Sequence, residues 1–113
     1  MHGLVATRAY QARSADRNLR EQEADVFRRA TAALRHAEND TDVSRTRALA
    51  DNSLLWTTLV ITLKDSTNAL PEPLRASMIS IGLVVQRELS AQKPDFSFII
   101  GINEQMTAGL MGV

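Results

Sequence analysis

Apolar residues recur at helical spacing through most of the chain, most densely between Ala48 and Leu74. In that stretch A-L-A-D-N-S-L-L-W-T-T-L-V-I-T-L puts Leu49, Asn52, Leu55, Trp56, Leu59, Val60 and Leu63 on one side of a helix. A narrower stripe of Ala50, Leu54 and Ile61 lies almost opposite. A helix apolar on two sides is either sandwiched between neighbours or offers one side to a partner. The pattern predicts a helix over 43–67, capped by Thr41 or Asp42. Asn52 is the one polar residue in its main stripe. A buried amide without partners costs on the order of 1–3 kcal/mol. Asn52 therefore reads as a structural residue, holding a neighbouring backbone or the Trp56 indole.

An earlier helix is predicted from an N-cap at Ser14 to about Asn39, with Leu19, Val26, Phe27, Ala30, Ala33, Leu34 and Ala37 on one face. Beyond the Trp56 helix, N-A-L-P-E-P-L-R-A reads as a stop and restart. Asn68 ends the second helix or opens the turn, and Pro71 fits the start of a third, where a missing N–H costs nothing. Leu74, Met78, Ile81, Val85 and Leu89 then share a face to about Gln92, while Ile79 and Leu83 widen the apolar surface. Gly82 sits in that stripe, and a mid-helix glycine costs about 1 kcal/mol relative to alanine. Its position predicts the close approach of a bulky neighbour such as Trp56. Lys93-Pro94 is expected to end this helix. Asp95 or Ser97 then caps a shorter fourth helix carrying Ile99, Ile102, Met106 and Leu110, with Phe98 close by. Residues 1–13 lack a helical pattern and read as a mobile arm, in which Tyr10 either packs back onto the domain or meets a partner. The predicted fold is all-α: one domain spanning 1–113, a small antiparallel bundle of about four helices with a flexible N-terminal arm.

Composition narrows the chemistry. Without cysteine, disulfides, thiolate catalysis and cysteine-ligated zinc are excluded. The start M-H-G-L-V-A-T-R-A-Y has neither a signal peptide's basic opening nor its apolar core, and no run approaches a membrane span, so a cytoplasmic protein without membrane contact is expected. His2 and His36 stand in no catalytic or metal-binding motif, and the glycines are too scattered for a phosphate loop. The expectation is a protein with no enzymatic activity, metal or cofactor. Net charge is zero, although nine of the thirteen basic residues fall in the first fifty positions. Arg17, Arg20, Arg28 and Arg35 line one side of the first helix. They read as a solvated face, or as a contact for an acidic protein surface or, more weakly, RNA phosphates.

Several of these elements together resemble one family. They are Ala9-Tyr10, the Glu23 to Leu34 stretch, A-L-A-D-N-S-L-L-W-T-T-L from Ala48, N-A-L-P-E-P-L-R-A from Asn68, I-S-I-G-L from Ile79 and I-N-E-Q-M-T-A-G-L from Ile102. The chain resembles the FlaF family of flagellar biosynthesis regulators from Tyr10 to Leu110, most specifically in N-x-L-P-x-x-L-R after a Leu-Trp helix. On this resemblance Tyr10, Asn52, Trp56, Asn68, Leu70, Pro71, Leu74, Arg75, Gly82 and Asn103 are its motif residues. It departs at Val84-Val85 and Gln86, where many relatives carry an aromatic residue, and in the plain tail of the third helix.

The resemblance implies promotion of flagellin synthesis or secretion through binding to flagellin, to the translational regulator FlbT, or to both, as chaperone or adaptor. Leu54, Ile61, Ile79 and Leu83 would supply an apolar groove and the four arginines would orient an acidic partner. A direct RNA-binding regulator acting through those arginines is the alternative from another class, disfavoured by zero net charge and the lack of an RNA module. A helical homodimer formed through the surplus apolar surface is the third reading.

Overall fold

A computed structural model of the chain describes residues 21–110. Four helices occupy most of this span: α1 over 21–37, α2 Asp42–Lys64, α3 Glu72–Leu89 and α4 Phe96–Leu110. The expected arm, the N-cap at Ser14, and the residues Tyr10, Arg17, Leu19 and Arg20 lie outside the described residues, as does the tail after Leu110.

Side-chain caps open α2 and α4. Thr41 Oγ1 accepts from the Ser44 N–H at 3.2 Å, and Asp42 adds a negative charge to the first turn. Pro71 stands at the N-cap position of α3 with Pro73 just inside, where neither withholds a needed donor. Asp95 Oδ1 accepts from the Phe98 N–H at 3.1 Å and opens α4.

The helix ends fall earlier than the sequence predicts. Helix α1 stops at residue 37, where the Asp40 N–H donates back to the Ala37 carbonyl. Helix α2 ends at Lys64 and not at Thr67, because Asp65 closes a tight turn in which the Thr67 N–H and hydroxyl both donate to its carboxylate. Helix α3 ends at Leu89, with the Ser90 N–H bonded to the Gln86 and Arg87 carbonyls, so Pro94 follows the stop and does not impose it.

Helix α2 is the hub. Antiparallel to α1, it meets it through Asn52 and Ala30 and through the edge-on stack of Phe27 against Trp56, ring centroids 5.6 Å apart. Antiparallel to α3, it brings Val60 against Gly82 and Thr57 against Gln86. Helix α4 lies alongside α2 in the same sense, with Phe96 near Arg45 and Asn103 near Trp56. The core comprises Phe27, Leu34, Ala48, Trp56, Leu63, Val85, Leu89, Phe96, Ile99 and Ile100.

Two predicted stripes hold in part. On α1 Phe27, Ala30, Leu34 and Ala37 are buried as expected and Ala24 joins them, while Val26 is 48% exposed. On α3, Leu74 and Ile81 are exposed while Ile79 is partly buried. On α3 the physical reason is that α2 is its main close neighbour, while α4 is tied to α1 through Arg35 and Glu104 and to α2 through the Asn103 side chain. With α2 as its main support, α3 buries a face centred on Gly82, Val85 and Leu89.

Candidate functional site

Polar groups in the core form a continuous chain. Asn52 Nδ2 donates to the Ala30 carbonyl of α1 at 3.0 Å and to the Ala48 carbonyl of its own helix at 2.8 Å. Asn103 Nδ2 donates to Asn52 Oδ1 at 2.8 Å, and Trp56 Nε1 donates to Asn103 Oδ1 at 2.9 Å. All three side chains are fully buried. Each amide thus has partners for both its oxygen and its nitrogen, which removes the penalty for burying it. The arrangement joins α1, α2 and α4 and sets their register. It contains neutral amides and an indole, so it serves cohesion and not acid–base work.

The N-A-L-P-E-P-L-R-A segment is a connector that finishes one helix and starts the next. Asn68 Nδ2 donates to the Thr62 carbonyl at 3.0 Å, and Asn68 Oδ1 accepts from the Leu70 N–H at 2.9 Å. From the first turn of α3, Arg75 Nη1 reaches back to the Leu63 and Asp65 carbonyls, each at 3.3 Å. Both side chains add donors to carbonyls at the end of α2, two of which, Thr62 and Asp65, also accept from backbone N–H groups, and a guanidinium is well placed there against the helix dipole. In the same turn Thr67, through its backbone N–H and then its hydroxyl, holds the Asp65 carboxyl below its ordinary pKa.

Gly82 owes its identity to close packing. A Cβ there would lie 2.5 Å from Val60 Cγ2 and 3.6 Å from Trp56 Cε3. The expected bulky neighbour is therefore Val60 first, with Trp56 behind it.

The predicted partner-binding residues have separate fates. Leu54, Ile61 and Leu83 are 70%, 65% and 45% exposed. Together with the partly buried Ile79 they lie on the side of the α2–α3 hairpin marked by the Gln86–Thr57 hydrogen bond. Arg28 pairs with Asp25 at 2.6 Å within α1, and Arg35 pairs with Glu104 of α4. These two arginines border a small cleft with Thr31 and Thr107, and each has a carboxylate beside it. Among the described residues no group of three or more His, Asp or Glu side chains is placed to hold a metal ion.

Two features escaped the sequence reading. Arg45 donates to the Glu38 carbonyl at 2.7 Å and stacks 4.9 Å from the Phe96 ring centroid, which links the α1–α2 turn to α4. An apolar groove of about 610 Å³ is also lined from all four helices and the α2–α3 connector, in part by Phe27, Leu55, Leu59, Leu70, Met78 and Met106.

The comparison that decides the family covers nearly all of this architecture. The model of the family described as flagellar protein FlaF matches residues 6–110, which takes in all four helices, the amide chain and the connector. The chain belongs to the FlaF family. No curated protein and no solved structure matches it. FlaF is a family of flagellar proteins, and membership assigns the chain a role in flagellar biology. In this FlaF chain the motif residues Asn52, Trp56, Asn68, Arg75, Gly82 and Asn103 are occupied with internal bonds and packing. Among the described residues no helix is long and apolar enough to cross a membrane.

Proposed function

We propose that this FlaF protein promotes flagellin synthesis or secretion as a non-enzymatic adaptor or chaperone in the cytoplasm, by binding flagellin, FlbT or both. The observation that carries the reading is the exposed apolar side of the α2–α3 hairpin, where Leu54, Ile61 and Leu83 face solvent. An amphipathic partner helix laid along that side would bury these residues at about 25 cal/mol per Å² of apolar area removed from water. Fold maintenance does not require them, since the core closes without them. Arg28 and Arg35 would steer an acidic partner more than hold it, because exposed charges already paired with carboxylates add little affinity. The same pairing weakens the RNA-binding alternative.

The test is co-purification with flagellin and with FlbT, separately and together. A stable complex with flagellin alone supports a chaperone, and a complex with FlbT alone supports an anti-regulator acting on translation. Binding to neither at micromolar concentration refutes the proposal. Steep weakening of any RNA binding with salt would then mark phosphate contact.

A further inference from the structure

Helix α3 carries a second apolar face that the described residues leave open. Leu74, Ser77, Ile81 and Val84 recur at alternating spacings of three and four, the a/d pattern of a coiled-coil seam. Its three apolar members are between 40% and 47% exposed. The seam is separate from the side used in the proposed function, because Leu83 stands two residues from Ile81, ~200° around the helix. It adjoins the apolar groove instead. Met78, four residues after Leu74 and three before Ile81, lines that groove with Leu59 and Met106, and the exposed Leu70 borders it just before α3 begins. Seam and groove make one continuous apolar surface, which in a globular protein marks an interaction site.

The composition of the seam favours one occupant. No charged residue stands among its four positions, and Glu88, next in the same series, turns its carboxylate to the Asp95 N–H of its own chain at 2.7 Å. A strongly acidic or basic helix would therefore find no opposite charge along the seam. A second copy of α3 matches it in register. Set antiparallel about a two-fold axis level with Ile79, Leu74 meets Val84 of the second copy, and Ser77 meets Ile81 of the second copy. The symmetry makes each contact twice and closes the assembly at two chains. Ser77 is small enough to leave room for the branched Ile81. Met78 and Ser80, which flank the seam beside the axis, are uncharged, so no charge is brought against its own copy there. The four layers span ~15 Å of helix, a modest contact, and the adjoining groove enlarges it.

We propose that the protein forms a two-fold dimer in which α3 packs antiparallel on α3 of a second copy through Leu74, Ser77, Ile81 and Val84. The C-terminal half of α3 of the second copy, entering over Leu74, covers the mouth of the groove beside Leu70 and Met78. Leu54, Ile61 and Leu83 stay open to other partners on the far side of each hairpin.

The full chain purified alone is the material for the test. Light scattering over a dilution series is expected to give twice the chain mass at high micromolar concentration. The exposed double change Leu74→Ser/Ile81→Ser should weaken self-association at least tenfold while the helical spectrum is retained. Because the chain has no cysteine, one introduced thiol is unique. Ser80→Cys, beside the axis, should join to its own copy through a short bis-maleimide, and Leu54→Cys should not. A chain that stays monomeric at high micromolar concentration would overturn the proposal, as would a dimer undiminished by the double change. Joining through Leu54→Cys in place of Ser80→Cys would overturn it too, by moving the contact to the outer side of the hairpin. No flagellin or FlbT is present in these measurements, so their failure is distinct from a failure of partner binding.

Discussion

Replacing Asn103 by leucine removes the central link of the buried amide chain while keeping side-chain size and helix propensity. Two groups lose their partners: the Trp56 Nε1–H, which donates to Asn103 at 2.9 Å, and Asn52 Oδ1, which accepts from it at 2.8 Å. Both belong to fully buried residues, so water cannot take Asn103's place without a rearrangement. An orphaned buried donor or acceptor costs ~1–3 kcal/mol, so the pair costs ~2–6 kcal/mol. Burial of the leucine side chain returns ~1.5–3 kcal/mol. The net expectation is a loss of ~2 kcal/mol from a stability that for domains of this kind is ~5–15 kcal/mol. Urea unfolding followed by circular dichroism gives the free energy. Trp56 is the sole tryptophan, so its fluorescence reports directly on the site. Removing both amides in Asn52→Leu/Asn103→Leu leaves fewer mismatched groups than the two single changes imply, so the double variant loses at least ~1 kcal/mol less than their sum. An Asn103→Leu protein as stable as the parent, with unshifted emission, would refute the account of the core.

Two further outcomes follow from the connector and the helix contact. Gly82→Ala places a methyl 2.5 Å from Val60 Cγ2. Overpacking at ~1–3 kcal/mol then exceeds the ~1 kcal/mol gain in helix propensity, and Val60→Ala in the same chain relieves the clash. A stabilised Gly82→Ala protein would contradict the packing described here. Asp65 has a lowered pKa because Thr67 donates to its ionised form. Its contribution to stability is therefore present above the ordinary aspartate range and lost as pH falls through the depressed value. Carbon-13 NMR titration of the Asp65 carboxyl should show a midpoint below that of an ordinary aspartate, moving up towards it in Thr67→Ala; an unmoved midpoint would count against the turn.

Much of the fold was legible in the sequence because its local signals agree with one another. Thr41, Pro71 and Asp95 mark helix starts by chemistry that acts within three or four residues. The stripe through Asn52, Trp56, Val60 and Leu63 is strong enough to fix the buried face of α2. What a single helix cannot reveal is where its neighbours stop. Leu74 and Ile81 satisfy the α3 period and are nevertheless exposed, since α3 packs mainly on α2 while α4 is tied to α1 and α2 through Glu104 and Asn103. Val26 falls outside the buried face of α1, which small alanines fill because they let helices approach. The role of Arg75 as a cap on α2, and of Asn103 as the partner of Trp56, are meetings of residues distant in the chain. Period and propensity carry no record of them. The arginines show the same limit, since Arg35 acquires Glu104 only when α4 docks on α1.

The most direct test of the proposed function is calorimetric titration of flagellin and of FlbT into the protein and into its Leu54→Ser/Ile61→Ser variant. Both positions face solvent, so the variant should keep the parent's helical spectrum and unfolding midpoint. The account predicts binding by the parent to at least one partner and a loss of at least tenfold in affinity in the variant, which corresponds to about 1.4 kcal/mol. Equal affinity of parent and variant for the same partner would contradict the assignment of the α2–α3 side as the binding surface.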